Sequence, residues 1–187
     1  MILLISDARA QWAELDRRIA AFDAEFVCWA KENEEARRLT TIPGIGAIVA
    51  SALVAAVGRV ESFERGRDLA AWLGLVPRQF TTGGRPTLVG ISKRGNKYLR
   101  RQLIHGACAA LPYVAERDTP LGRWVKGLLG RAHRNVAVVA FANKLGRIAW
   151  AVLRRQERFA ALERAWRHSV RSIALKASND PMAFARG

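Results

Sequence analysis

The stretch 39–58, LTTIPGIGAIVASALVAAVG, does most to narrow what this chain can fold into. Pro43-Gly44 and the following Ile45-Gly46 end any preceding helix in a tight turn, since proline lacks an N–H and glycine reaches backbone conformations that other residues avoid. Residues 47–57 are then almost unbroken alanine, valine, isoleucine and leucine, which reads as a buried helix closed by Gly58. Two helices joined by a glycine turn follow from these residues alone.

The order Ile42, Pro43, Gly44, Ile45, Gly46, then Ala50 and Leu53, resembles the helix-hairpin-helix of sequence-independent DNA binders. Glycines there let the backbone N–H groups of a new helix N-terminus approach a phosphate at the positive end of the helix dipole. The bland alternative is a glycine turn that only lets two helices pack. Charge favours the first. Lysine and arginine total 31 against 16 acidic residues, for a net +15 and a pI near 11.3, which suits a polyanionic partner held by phosphate neutralisation. Residues 1–38 hold 6 basic and 8 acidic side chains, so all the excess lies beyond Arg38.

Ahead of the glycine turn, Ile5, Ala8, Trp12, Leu15, Ile19, Phe22, Phe26 and Trp29 recur at alternating steps of three and four. This is a heptad seam. It predicts a coiled-coil helix over 1–38 that pairs copies of the chain through residues 5–29, or an amphipathic helix packed on its own domain. Residues 39–156 should form a compact helical domain, and 157–187 a basic tail, partly disordered. The fold class is therefore mainly α, with a small loop or β-hairpin between two of the helices. Leu69, Trp72 and Leu73 give a short helix an apolar face, and Pro77 stops it. Turn signals at Gly83, Gly84, Pro86 and Gly90 mark the loop or hairpin. Asn96 is placed to cap the next helix, with Leu99, Leu103, Ala107 and Ala110 inside. Thr119 before Pro120 caps another, and Asn135 a third whose first half is apolar nearly all round. Within that third helix Asn143 needs a partner in the core or belongs to a site.

The chemistry concentrates in residues 78–101. Thr81 and Thr82 stand beside Gly83 and Gly84, with Arg78 and Arg85 on either side. Lys93, Arg94, Gly95, Asn96, Lys97, Arg100 and Arg101 follow, their cations falling on successive turns as a stripe that backbone phosphates can reach. With Pro43, Gly44, Ile45 and Gly46 these are the expected DNA contacts. A hydroxyl that attacks a phosphodiester needs cations for the developing charge and an acceptor for its proton. The stretch supplies the cations. On residues alone, the threonines equally well hold a phosphate or close a turn. Metal chemistry finds little support: His105, His133 and His168 are isolated, Cys28 and Cys108 have no CxxC partner and read as small core residues, and carboxylates after residue 38 are sparse. The longest apolar stretch, Ile42 to Val57, is shorter than a membrane span, so a cytoplasmic chain with no membrane partner is expected.

Three blocks, TIPGIGAIVASALVAAVG, LAAWLGLVPRQFTTGGRPTLVGISKRGNKYLRRQLIHGA and NVAVVAFANKLGRIAWAVL, resemble in order and separation the C-terminal region of the insertion-sequence one-ten type transposases, relatives of the pilin-gene invertase. The resemblance covers about 39–153. It implies a DNA recombinase of two parts: an acidic, metal-holding domain, then a coiled coil and a C-terminal domain carrying a nucleophilic serine. It also implies a structured guide RNA, assembly into dimers or larger oligomers, and residence on the bacterial nucleoid. Counting from Pro77, the serine position is Thr82, and Thr81 precedes it; Ser92 lies outside the matching position. A threonine departs from the pattern because its β-methyl restricts χ1 and crowds in-line attack. Since Met1 lies just before the coiled coil, no cofactor is expected in this chain, and Mg2+ only with the acidic domain. The alternative is a non-enzymatic DNA- or RNA-binding regulator derived from such an element.

Overall fold

The structure, a computed structural model, describes residues 2–160. Most of these are helical. Helix α1 (Ile2–Glu32) leads into the short α2 (Glu34–Leu39), which Asn33 caps by accepting from the Ala36 N–H at 2.9 Å. The glycine turn follows, then α3 (Ala47–Val57) and, after a single 3-10 turn, α4 (Gly66–Trp72). A two-stranded antiparallel sheet, β1 (Pro77–Thr82) and β2 (Arg85–Ile91), separates α4 from α5 (Lys97–Glu116), α6 (Pro120–Leu129) and α7 (Arg134–Arg155). The expected basic tail from residue 161 onward lies outside the described residues.

Helix α7 is the central element. Its Ala137, Phe141, Ala142, Leu145, Ala149 and Val152 are fully buried, and α2, α4, α5 and α6 all pack on it. Among the described residues α7, rather than the stretch 42–57, is long and apolar enough to cross a membrane by length and composition. Half of its apolar window is instead buried within the fold, as in the core helix of a globular domain. Asn143 satisfies itself there by donating from Nδ2 to the Leu75 carbonyl at 3.0 Å, which ties α7 to the base of the sheet. The cap of α7 lies two residues earlier than expected. His133, not Asn135, holds the N-cap and accepts at Nδ1 from the Asn135 N–H at 3.2 Å, because an imidazole nitrogen can do what an Asn oxygen does at that position. The other caps stand where the sequence places them: Asn96 accepts from Leu99 N–H and Thr119 from Gly122 N–H, each at 3.0 Å.

Two close approaches set the arrangement. At Gly44 (φ 90°) and Gly106 the α2–α3 turn lies directly on α5. A Cβ at Gly106 would run into the Gly44 carbonyl oxygen, and one at Gly44 would come within 2.7 Å of the Gly106 oxygen. Gly74 and Gly95 do the same for the end of α4 and the loop entering α5, since a Cβ on either meets a backbone carbonyl of the other segment. Arg100 fastens this second contact by donating to the Leu73 carbonyl at 3.2 Å.

Helix α1 stands apart from this core. Ala30 is buried, and with Ala36 and Leu39 it joins the packed unit, so the end of α1 docks on α3. The seam before it is bare. Trp12 is 71% exposed, and Ile5, Leu15, Ile19, Phe22 and Phe26 are all exposed too. Among the described residues, nothing of its own domain packs on most of the helix. Cys28 is a correction: it is an exposed residue on α1, not a core one, with its thiol donating to Glu32 at 3.5 Å. That hydrogen bond and the Glu32 charge raise the thiol pKa above its usual value. Cys108 packs against the core as expected.

Candidate functional site

The loop or hairpin of the sequence is a hairpin. Gly83 (φ 60°) and Gly84 (φ 78°) form its two-residue turn, and positive φ at both positions is the type I′ pattern, whose twist matches that of strands joined so tightly. Registration follows from the turn: Thr82 pairs with Arg85, Thr81 with Pro86, Phe80 with Thr87 and Gln79 with Leu88. Between Pro77 and Gln79 the register shifts by a bulge, which bends the base of the arm. Every residue of β1 is exposed, and the two strands pack mainly on each other. The hairpin is a projecting arm.

Side chains alternate across a strand, and directly paired residues share a face. Thr82 therefore shares its face with Arg85 opposite and with Phe80 and Arg78 along the same strand; the Arg78 guanidinium lies 6.0 Å from the Phe80 ring centroid. Thr81 points the other way, and its Oγ1 accepts from Gln79 Nε2 at 3.3 Å. The two threonines are thus not equivalent, since only Thr82 has two guanidinium groups on its own side. Among the described residues no histidine or carboxylate hydrogen-bonds to either hydroxyl.

The basic stripe divides as well. Lys93, held at φ 57°, and Arg94 are exposed in the loop after β2, and Lys97 and Arg101 are exposed one turn apart on α5. Arg100 turns inward to the Leu73 carbonyl, so it anchors the end of α4 rather than joining the exposed row. His105 continues the row and Tyr98, half exposed, flanks it. Neither stood out in the sequence, though a step of four from Arg101 points to His105. Gly95 and Asn96 support the row through the close approach at Gly74 and the cap of α5. Because Gly74, Val76 and Ser92 tie the hairpin base to the same loop, the arm and the row stand together at one end of α5.

The glycine turn lies elsewhere. At about 100° per residue, Gly106 is about 180° around α5 from Lys97, so the turn resting on it faces away from the exposed row. Ile45 is buried and Pro43 half-buried. Gly44 is used for packing. Gly46 is exposed, has nothing within 4 Å of an added Cβ, and caps α3 without a side chain, leaving the first N–H groups of that helix open.

Residues 36–119, which contain the glycine turn, the hairpin and the basic row, match the family model of the IS116/IS110/IS902 transposases. This chain belongs to that transposase family. It is 44% identical over 144 residues to the transposase of insertion sequence element IS1111A of Coxiella burnetii, a match covering 77% of this chain and 40% of that protein. To the transposase of insertion sequence element IS1328 of Yersinia enterocolitica it is 42% identical over 152 residues, covering 81% and 46%. To the pilin gene-inverting protein of Moraxella bovis it is 31% identical over 137 residues, covering 71% and 41%. The chain spans less than half the length of these relatives. Among the described residues of this transposase-family chain, no group of three or more His, Cys, Asp or Glu side chains could hold a metal ion. The described residues thus offer no set of side chains that fits the metal the family resemblance implies.

Proposed function

We propose that this chain is the DNA-engaging and strand-transfer part of an insertion-sequence transposase, with Thr82 at the nucleophile position. The observation that carries the reading is the hairpin register, which pairs Thr82 with Arg85 on the face that also bears Arg78. In the step proposed, Thr82 Oγ attacks a backbone phosphorus, the P–Oγ bond forms and the P–O3′ bond breaks. The strand then remains on the protein through its 5′-phosphate. The departing 3′ oxygen takes up a proton, and the hydroxyl proton passes to solvent. Arg78 and Arg85 stabilise the charge on the phosphate oxygens as it develops. Lys93, Arg94, Lys97 and Arg101 grip the same DNA along its backbone. The open N-terminus of α3 at Gly46 offers a second phosphate contact on a different side of α5. In this reading Mg2+ belongs with the acidic domain that the resemblance implies. A second copy pairs through the α1 seam, and a structured element RNA is a further partner.

The test supplies the acidic domain in trans and measures covalent protein–DNA adduct, recombinant product and duplex binding together. Thr82→Ala should abolish adduct and product while duplex affinity stays within about twofold, as expected for a neutral change among many phosphate contacts. Thr82→Ser should retain product. Recombination by Thr82→Ala at the wild-type level would sink the nucleophile assignment. One observation favours a second reading, a nucleic-acid-binding regulator of transposition. No proton acceptor stands at the threonines among the described residues, and under that reading the wild-type chain binds duplex but forms no adduct.

A further inference from the structure

A concavity about 760 Å3 in volume opens between the start of α4 and the second half of α7. Two arginines from each side line it: Arg65 and Arg67 at α4, Arg147 and Arg155 on α7. All four are exposed. Gly66 brings the two rows together, because a Cβ there would lie 3.1 Å from the Arg147 carbonyl oxygen and 3.3 Å from Trp150 Cε3. No carboxylate lines the cleft, and none of the four arginines forms an ion pair among the described residues. Their neighbour Arg154, by contrast, is 3.7 Å from Glu61. Burial and the nearby Arg147 charge also push the Lys144 ammonium, which lines the same cleft, below its ordinary pKa. Cations gathered this way repel one another, and a multivalent anion relieves that cost.

The interior of the cleft says more about the anion. Trp150 and Phe159 line it, and the indole is fixed by its Nε1–H donating to the Phe63 carbonyl at 2.9 Å. A duplex turns its stacked bases inward and offers a convex row of phosphates. A concave basic cleft with aromatic side chains within fits an unpaired strand, whose bases are free to stack. The chain's own continuation is a poor occupant, since residues 161–187 carry five basic and two acidic side chains. We infer that this cleft holds a single-stranded nucleic-acid segment, its phosphates on Arg65, Arg67, Arg147 and Arg155 and a base against Trp150 or Phe159. The cleft adjoins the groove at the hairpin base, with Lys144 and Arg147 lining both, while Arg65, Arg67 and Arg155 line the cleft and not that groove; the inference stands or falls apart from the chemistry proposed for Thr82.

The experiment uses the full chain and fluorescence anisotropy with short labelled single-stranded DNA, single-stranded RNA and duplex DNA of one sequence, over a range of salt. Arg67→Ala with Arg155→Ala, two exposed positions, should weaken single-strand binding about tenfold and lower its salt slope by about 1.4, the share of two phosphate contacts. Duplex affinity should change by less than about twofold. Lys97→Ala with Arg101→Ala should give the reverse pattern, and circular dichroism checks that both variants fold. A larger loss on RNA than on DNA assigns the strand to RNA, and the opposite to DNA. Single-strand affinity unchanged in the first variant, or an equal loss on strand and duplex, overturns the inference. Wild-type binding of duplex but not of either single strand also overturns it while leaving the proposed function in place. Cleft-dependent strand binding without duplex binding keeps the cleft and removes the duplex surface.

Discussion

Gly44, Gly46 and Gly106 are identical side chains put to different uses. Gly106 has the Gly44 carbonyl where a methyl would go, so Gly106→Ala should cost about 1–3 kcal/mol of stability by overpacking, seen as a lower urea midpoint at unchanged slope. Gly46→Ala meets open space and should cost less than about 1 kcal/mol, the loss of a favoured N-cap residue. Equal costs at the two positions would contradict the packing described. The sequence marks both glycines of the turn as candidates for phosphate approach and cannot separate them, because the atom that decides belongs to a residue some sixty positions away. Arg100 and Arg101 present the same difficulty. One position of helical rotation sends the first to the Leu73 carbonyl and leaves the second in solvent.

At the scale of elements, periodicity is the reliable guide and its targets are the uncertain part. The three-and-four spacing along α1 correctly marks a helix with one apolar side, and among the described residues nothing covers that side over five turns or more. An isolated helix of this kind is poorly stabilised in water, so association should supply what its own domain does not. Leu15→Lys with Ile19→Lys should shift the chain toward monomer in sedimentation equilibrium and reduce its helical circular dichroism. An unchanged mass would remove the seam as an oligomer contact. The hairpin was legible in part: Gly83-Gly84 between β-prone residues announces a turn, but the choice between loop and hairpin depends on strand pairing. That pairing places Thr82 and Thr81 on opposite faces, which spacing from Pro77 alone does not reveal. His133 as a cap was missed because histidine is an uncommon N-cap, and the rule favoured the asparagine nearby.

For the whole molecule, stability should fall into two tiers. Helices α5 and α7 share the deepest packing, with Leu99, Leu103, Phe141 and Leu145 fully buried, whereas the hairpin contributes no fully buried side chain from β1. Native-state hydrogen exchange should therefore find the slowest amides in α5 and α7 and much faster ones around Phe80 to Thr87, because a two-stranded hairpin without a packed face is only marginally stable. Protection of the hairpin tip equal to that of α7 would mean that the arm is part of the core. The sequence by itself determined the helical class, the long apolar-seamed helix, the glycine turn, two of the caps and the basic stretch after Pro77, since each follows from local stereochemistry or from periodicity within one segment. Tertiary structure alone decided which cations reach solvent, which glycine packs, that the glycine turn and the basic row face different sides of α5, and that arginines about eighty residues apart line one cleft. Those outcomes depend on close contacts between segments distant in the chain, and no pattern within one segment carries that information.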